Sequence, residues 1–232
     1  MRRIILIAGC CLGFIFTRAQ KTEWYGRVGS GFYFFSGKSA VKEQTPPEKF
    51  ASPYGKIPSF SMTIGASVQR VTHHSWLWNI GLEIQSLGAH SEVNDIYSMS
   101  SPSPSVPVST EDGKASFRTY CIALSPSFGK RLKTGKKCYI DLSAGPEFAF
   151  NISSSETLEY RLLNSSVENK YERDSNPPGT DFRIQFQAGV GFNRFHVFAG
   201  YARGLSNFYS EWAGANLEAY SNFIKAGIGY RF

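Results

Sequence analysis

A chain of 232 residues with 15% aromatics, 22 glycines and only 19% charged residues has the composition of sheet and tight turns, and is long enough for one large β domain. Its formal charge of +7 falls to +4 once Arg2, Arg3 and Arg18 are set aside with a leader, too mild a balance for nucleic acid to be expected as a partner. The mean hydropathy of -0.23 excludes a bundle of apolar helical spans but not a membrane barrel, whose alternating strands average out to mild polarity.

The first 19 residues read as a secretory signal: Arg2 and Arg3, an apolar run from Ile4 to Phe16, then Thr17-Arg18-Ala19 with the cut after Ala19. A rival lipoprotein box ending at Cys10 would leave an apolar run of only Ile4 to Gly9, short for a signal core. Residues 20–232 then carry eight stretches of period-two alternation. The first is Trp24 to Phe35, followed by a polar, proline-bearing loop over about 37–58. Phe60 to Val68 and Trp76 to Gln85 form a hairpin around the turn Thr72 to Ser75, and a Ser/Pro-rich stretch over about 88–115 reads as an exposed loop. Phe117 to Phe128, the basic turn Lys130 to Lys137 and Ile140 to Phe150 follow, then a third long loop over about 152–180. Phe182 to Phe192 turns at Asn193 to His196 into Val197 to Tyr201, a fourth loop spans about 205–220, and Ile224 to Phe232 closes the set.

An even number of strands with connections alternating long and short predicts an all-β, eight-stranded antiparallel up-and-down transmembrane barrel, its long loops outside the cell and its short turns in the periplasm. The competing architecture is a soluble, lipocalin-like carrier with its apolar side chains inside. One face carries Trp24, Phe32, Trp76, Trp78, Phe128, Phe148, Phe150, Phe186 and Phe192 among others, more bulk than a narrow lumen holds, so this face is expected to meet lipid. The opposite face is dominated by small and polar residues and includes Arg27, Arg183, Lys225 and Arg231 with Glu83, Asp141 and Glu147. Charges in a narrow interior must be paired, so these seven are expected to form an ion network that plugs the lumen.

Chemistry is scarce. His90 and Glu92 on the second loop could serve an enzyme acting on lipid or peptide, but no G-x-S-x-G accompanies them. His73 and His74 are adjacent and, on extended backbone, would point apart; Gly29 and Gly31 lie inside a strand with no helix to hold a phosphate. No catalytic residue, metal ligand or cofactor is therefore expected. Cys121 and Cys138 fall on opposite faces and should not pair. Lys130, Arg131, Lys133, Lys136 and Lys137 make a basic turn suited to phospholipid headgroups or an acidic partner.

The end of the chain, with Lys225, Gly227, Tyr230 and Phe232, resembles the terminal signal by which bacterial outer-membrane barrels are received by the barrel-assembly machinery. Tyr201-Ala202-Arg203-Gly204-Leu205-Ser206-Asn207 resembles the penultimate strand of the PorT-like outer-membrane barrels of Bacteroidota, as does the Ala19-Gln20 junction their signals. The resemblance covers the layout of the whole mature chain. It implies an eight-stranded integral barrel in the outer membrane of a Gram-negative bacterium, embedded in lipid, without a catalytic motif, and in some members an envelope or secretion protein as partner. The stretch 88–115 is long for that family.

Overall fold

The structure is a computed structural model and describes residues 21–45, 51–97, 107–135, 137–162, 168–174, 178–209 and 217–232. The signal read over 1–19, Cys10, and Lys136 of the basic turn lie outside the described residues. Ten strands follow in chain order: β1 (Lys21–Ser36), β2 (Glu43–Gln44), β3 (Ile57–Val71), β4 (Trp76–Tyr97), β5 (Pro107–Lys133), β6 (Cys138–Leu162), β7 (Glu168–Asp174), β8 (Thr180–Phe192), β9 (Phe195–Gly204) and β10 (Tyr220–Arg231). Eight of them close a ring in the order β1, β3, β4, β5, β6, β8, β9, β10, each antiparallel to its neighbours, with β10 returning to β1. Closure leaves no free sheet edge in a medium without water to satisfy one.

Side chains alternate between lumen and exterior along every ring strand. Trp24 is 59% exposed, Phe60 60%, Trp78 57% and Phe186 58%, while Glu83 is 1% exposed and Arg183 fully buried. The bulky face points outward, which is the reverse of a lipocalin-type carrier. From Trp24 to Phe34 the outward face of β1 covers about 33 Å along the strand, or about 25 Å in height at a tilt near 40°, the height of the apolar band of a membrane barrel. The interior is less uniformly small than composition suggests: Tyr25, Tyr33, Phe35, Phe117, Tyr139, Phe198 and Phe223 are buried inside.

Three short turns join β3 to β4, β5 to β6 and β8 to β9. Ser75 and Asn193 adopt positive φ there, 64° and 54°, a conformation short polar side chains tolerate in hairpin turns. At the opposite end two of the four expected loops prove to be largely strand. The stretch read as a loop over 88–115 continues β4 to Tyr97 and resumes as β5 at Pro107, paired from Trp76↔Lys130 to Tyr97↔Pro107. The stretch over 152–180 extends β6 to Leu162, and β7 folds back on it from Ser155↔Asp174 to Arg161↔Glu168. Register shifts at Val93/Asp95, Glu111/Lys114 and Tyr120/Cys121 let these strands bend without losing their partners.

Candidate functional site

The lumen holds two ion networks. In the upper one, Lys225 Nζ lies 2.7 Å from Glu83 and 3.4 Å from Glu147, and Arg183 donates to Glu147 at 3.0 Å and to Asp181 at 2.7 Å. Arg27 donates to Gln187 at 2.6 Å, stands 3.6 Å from Glu83 and lays its guanidinium 4.0 Å from the centre of the Phe198 ring. Three cations thus face three carboxylates. In the lower network Arg131 binds Asp141 through two hydrogen bonds of 2.7 and 2.8 Å, Glu23 at 2.7 Å and Gln69 at 3.1 Å, with its guanidinium 3.7 Å over Tyr139. Arg231 donates to the other oxygen of Glu23 at 2.7 Å, and the Tyr25 hydroxyl joins Glu23 to Tyr139 with bonds of 2.8 Å. Both networks balance among the described residues, which is the condition under which buried charge is tolerated.

All seven lumen charges named from the sequence lie here, but in two groups: Arg27, Glu83, Glu147, Arg183 and Lys225 above, Asp141 and Arg231 below. Sequence reasoning missed Glu23 and Asp181, each at the end of a predicted strand, where alternation gives the weakest signal. It also misplaced Arg131. This residue is 6% exposed and points into the barrel because β5 runs on to Lys133, so odd positions still face the lumen and the turn begins later. Lys130 is exposed on the outer wall, and Lys133 and Lys137 are exposed at the turn. Arg27 Nε, Glu83 Oε1 and Asp181 Oδ1 of the upper network, and Tyr33 Oη, Asn79 Oδ1 and His196 Nε2 beside the networks, make no hydrogen bond among the described residues, so the interior is not fully satisfied.

An aromatic lid closes the end away from the short turns. Tyr54 and Phe208, from the segments after β1 and β9, pack edge-to-face on Phe35 and Phe117 with ring centres 4.9 to 5.6 Å apart in the Phe35–Tyr54, Phe35–Phe208, Tyr54–Phe117 and Tyr54–Phe208 pairs. Asn207 pins the second segment by accepting from the amides of Tyr209 and Ala219 and donating to Leu217, and Gln44 clamps both backbone groups of Ser52. The Ser52 and Tyr209 hydroxyls bond the two segments together. Beyond the apolar band, β2, β4, β5, β6 and β7 form an outlying sheet with a small core of Ala51, Val93, Ala115, Leu158 and Tyr160. Its outward face is polar: Ser86, His90, Glu92 and Asn94 on β4, Lys114, Ser116 and Arg118 on β5.

The other residues singled out in the sequence fall as follows. His90 accepts or donates at Nδ1 with the Ser59 hydroxyl, 2.7 Å away, and no hydrogen bond links it to Glu92 among the described residues. Burial and then nearby Lys114 push its pKa down. The rings of His73 and His74 do not diverge; they lie 5.6 Å apart, edge to face, because they occupy a turn and not extended backbone. Among the described residues no group of three or more potential metal ligands occurs. Cys121 and Cys138 are both free thiols. Lys225 and Gly227 point inward at the β1–β10 seam, whereas Tyr230 packs outside against Phe195 and Phe232.

Solved structures similar to this chain include the attachment invasion locus protein Ail of Yersinia pestis in complex with the heparin analogue sucrose octasulfate, at 12% identity over 93% of this chain and 100% of that one with a TM-score of 0.37. Neisserial surface protein A is similar at 15% identity over 91% and 99% with a TM-score of 0.43, and the N-terminal β-barrel domain of Pseudomonas aeruginosa OprF at 10% over 93% and 100% with a TM-score of 0.36. No curated protein matches the chain. The family model described as outer membrane protein beta-barrel domain matches residues 18–210, and with the closed eight-stranded ring and its outward bulky face the chain belongs to the outer membrane protein beta-barrel domain family.

Proposed function

We propose that this is a non-conducting, non-catalytic outer-membrane barrel, exported by a signal cut after Ala19, with its short turns in the periplasm and its β4–β5 and β6–β7 hairpins held outside the cell to bind a partner. The observation that carries the reading is the length of β4, β5 and β6. They have 22, 27 and 25 residues, against about 9 to 11 needed to cross a bilayer. Ordering backbone outside the membrane costs about 1–2 kcal/mol per residue, and a sheet with its own buried core retains that order before any ligand arrives. A preformed surface then binds without a further ordering cost. The balanced ion networks and the aromatic lid support a closed lumen.

The test replaces residues 94–112 with Asn-Gly, which keeps the Val93↔Gly113 pair as the base of a shortened hairpin. The variant should still migrate differently on a gel when boiled and unboiled, and should lose the neighbours crosslinked to the full chain in native membranes. An unchanged set of neighbours would refute the role of the hairpins, and a large, steady conductance in planar bilayers would refute the closed lumen. The resemblance of Tyr201 to Asn207 to the PorT-like barrels supports a second reading, an accessory to protein secretion, in which those neighbours would be secretion components.

A further inference from the structure

On the lipid-facing wall near the short-turn end, the bulky outward rows give way to alanines. Phe128, Ala144 and Phe186 are neighbours in register across β5, β6 and β8, and Leu142, Ala188 and Ala199 are neighbours one step closer to the turns. Ala144, Ala188 and Ala199 end at Cβ while Trp76, Phe128, Leu142 and Phe186 stand 41–58% exposed around them. The result is a groove of about 710 Å³ in the outer wall, within the range of about 300–1,000 Å³ that ligand sites occupy. Lys130 lines its lower lip, in register between Trp76 and Leu142, with Nζ 5.7 Å from the centre of the Trp76 ring.

The position narrows the occupant. Lipid tails are as apolar as the groove, so burial from water cannot hold anything there; only close packing and a polar anchor can. Lys130 at the lip and Lys133, Lys137 and Arg194 at the turns beside it are exposed, while the nearby Asp141 is buried in the lumen against Arg131. Two copies joined through this face about a twofold axis along the membrane normal would bring both Lys130 into one interface at the same depth, like charge with like. A phosphate group is complementary.

We propose that the groove retains one glycerophospholipid, one acyl chain lying over Ala144, Ala188 and Ala199 and the phosphate bound by Lys130. The tryptophan beside the lysine places the headgroup at the membrane interface. That this is the periplasmic leaflet rests on the orientation given under Proposed function; the groove and its ligand do not.

The experiment is native mass spectrometry of the folded full-length mature chain titrated with phosphatidylglycerol in mild detergent. One lipid should survive conditions that strip the rest. Lys130→Gln should weaken it about fivefold, the worth of one lysine near a membrane surface. Ala188→Phe should abolish it by filling the floor; if that chain fails to fold, Ala144→Leu should weaken it instead. Inorganic phosphate should not compete. Failure of the natural chain to retain a lipid, equal retention by every variant, or a dimer that Ala188→Phe disperses would each overturn the proposal. Labelling of Lys133→Cys from outside intact cells would reverse the orientation while leaving the bound lipid in place, so the two failures are distinguishable.

Discussion

Arg183→Met is the sharpest test of the lumen. The guanidinium is fully buried and donates to Asp181 at 2.7 Å, Glu147 at 3.0 Å and Gln85 at 3.0 Å. Methionine fills much of the space and removes the charge, leaving Asp181 with the Ser221 hydroxyl at 2.6 Å and Glu147 with Lys225 at 3.4 Å. Breaking a buried pair by deleting one partner costs about 3–5 kcal/mol, a large share of the roughly 5–15 kcal/mol that holds an ordinary domain folded. Adding Asp181→Asn removes the one orphaned charge and leaves Arg27 and Lys225 against Glu83 and Glu147, so the double variant should recover most of the loss. Tryptophan fluorescence during urea unfolding in detergent micelles measures both. A loss below about 1 kcal/mol in the single variant, or no recovery in the double, would mean that water reaches these carboxylates and that the ion pairs do not seal the barrel.

Arg131→Gln should cost about 3–5 kcal/mol in the same assay, whereas Lys130, Lys133 and Lys137 changed together to Gln should stay within about 0.5 kcal/mol, although all four lie within eight consecutive residues. Phe208→Ala removes the ring that closes on Phe35, Tyr54 and Phe117; it should cost about 3–5 kcal/mol and bring brief conductance events in planar bilayers that the natural chain lacks. Gly31→Ala would set a Cβ 1.9 Å from the Ile224 carbonyl oxygen and 2.8 Å from Lys225 Cα. Backbone cannot step aside there without parting β1 from β10, so the variant should migrate alike on a gel whether boiled or not.

The ring was legible because period-two alternation is a property of single strands, and Phe182 to Phe192 or Trp76 to Gln85 display it without help from neighbours. The outlying sheet was not, for two physical reasons. Above the band both faces meet water or a thin core, so Ser91, Glu92, Val93 and Asn94 lack a strong apolar beat. The register shifts at Val93/Asp95 and Glu111/Lys114 then break what parity remains. The lumen charges followed from parity wherever a strand was recognised. Glu23 lies just before the predicted start at Trp24 and Asp181 just before Phe182, so both fell outside, and Arg131 was counted with the basic run around it when its parity belonged to β5. Ion pairing itself cannot be read from one chain: Lys225 and Glu83 are 142 positions apart.

The pairing of β1 with β10 sets the order of events in making this molecule. Tyr25 meets Arg231 across the seam, and Glu23 finds its second arginine 208 positions downstream. A newly exported polypeptide therefore waits with one flank of its first strand bare until the tenth has been delivered, and contacts of such span form slowly. During that interval the open flank is an unpaired sheet edge, which any other extended segment can join.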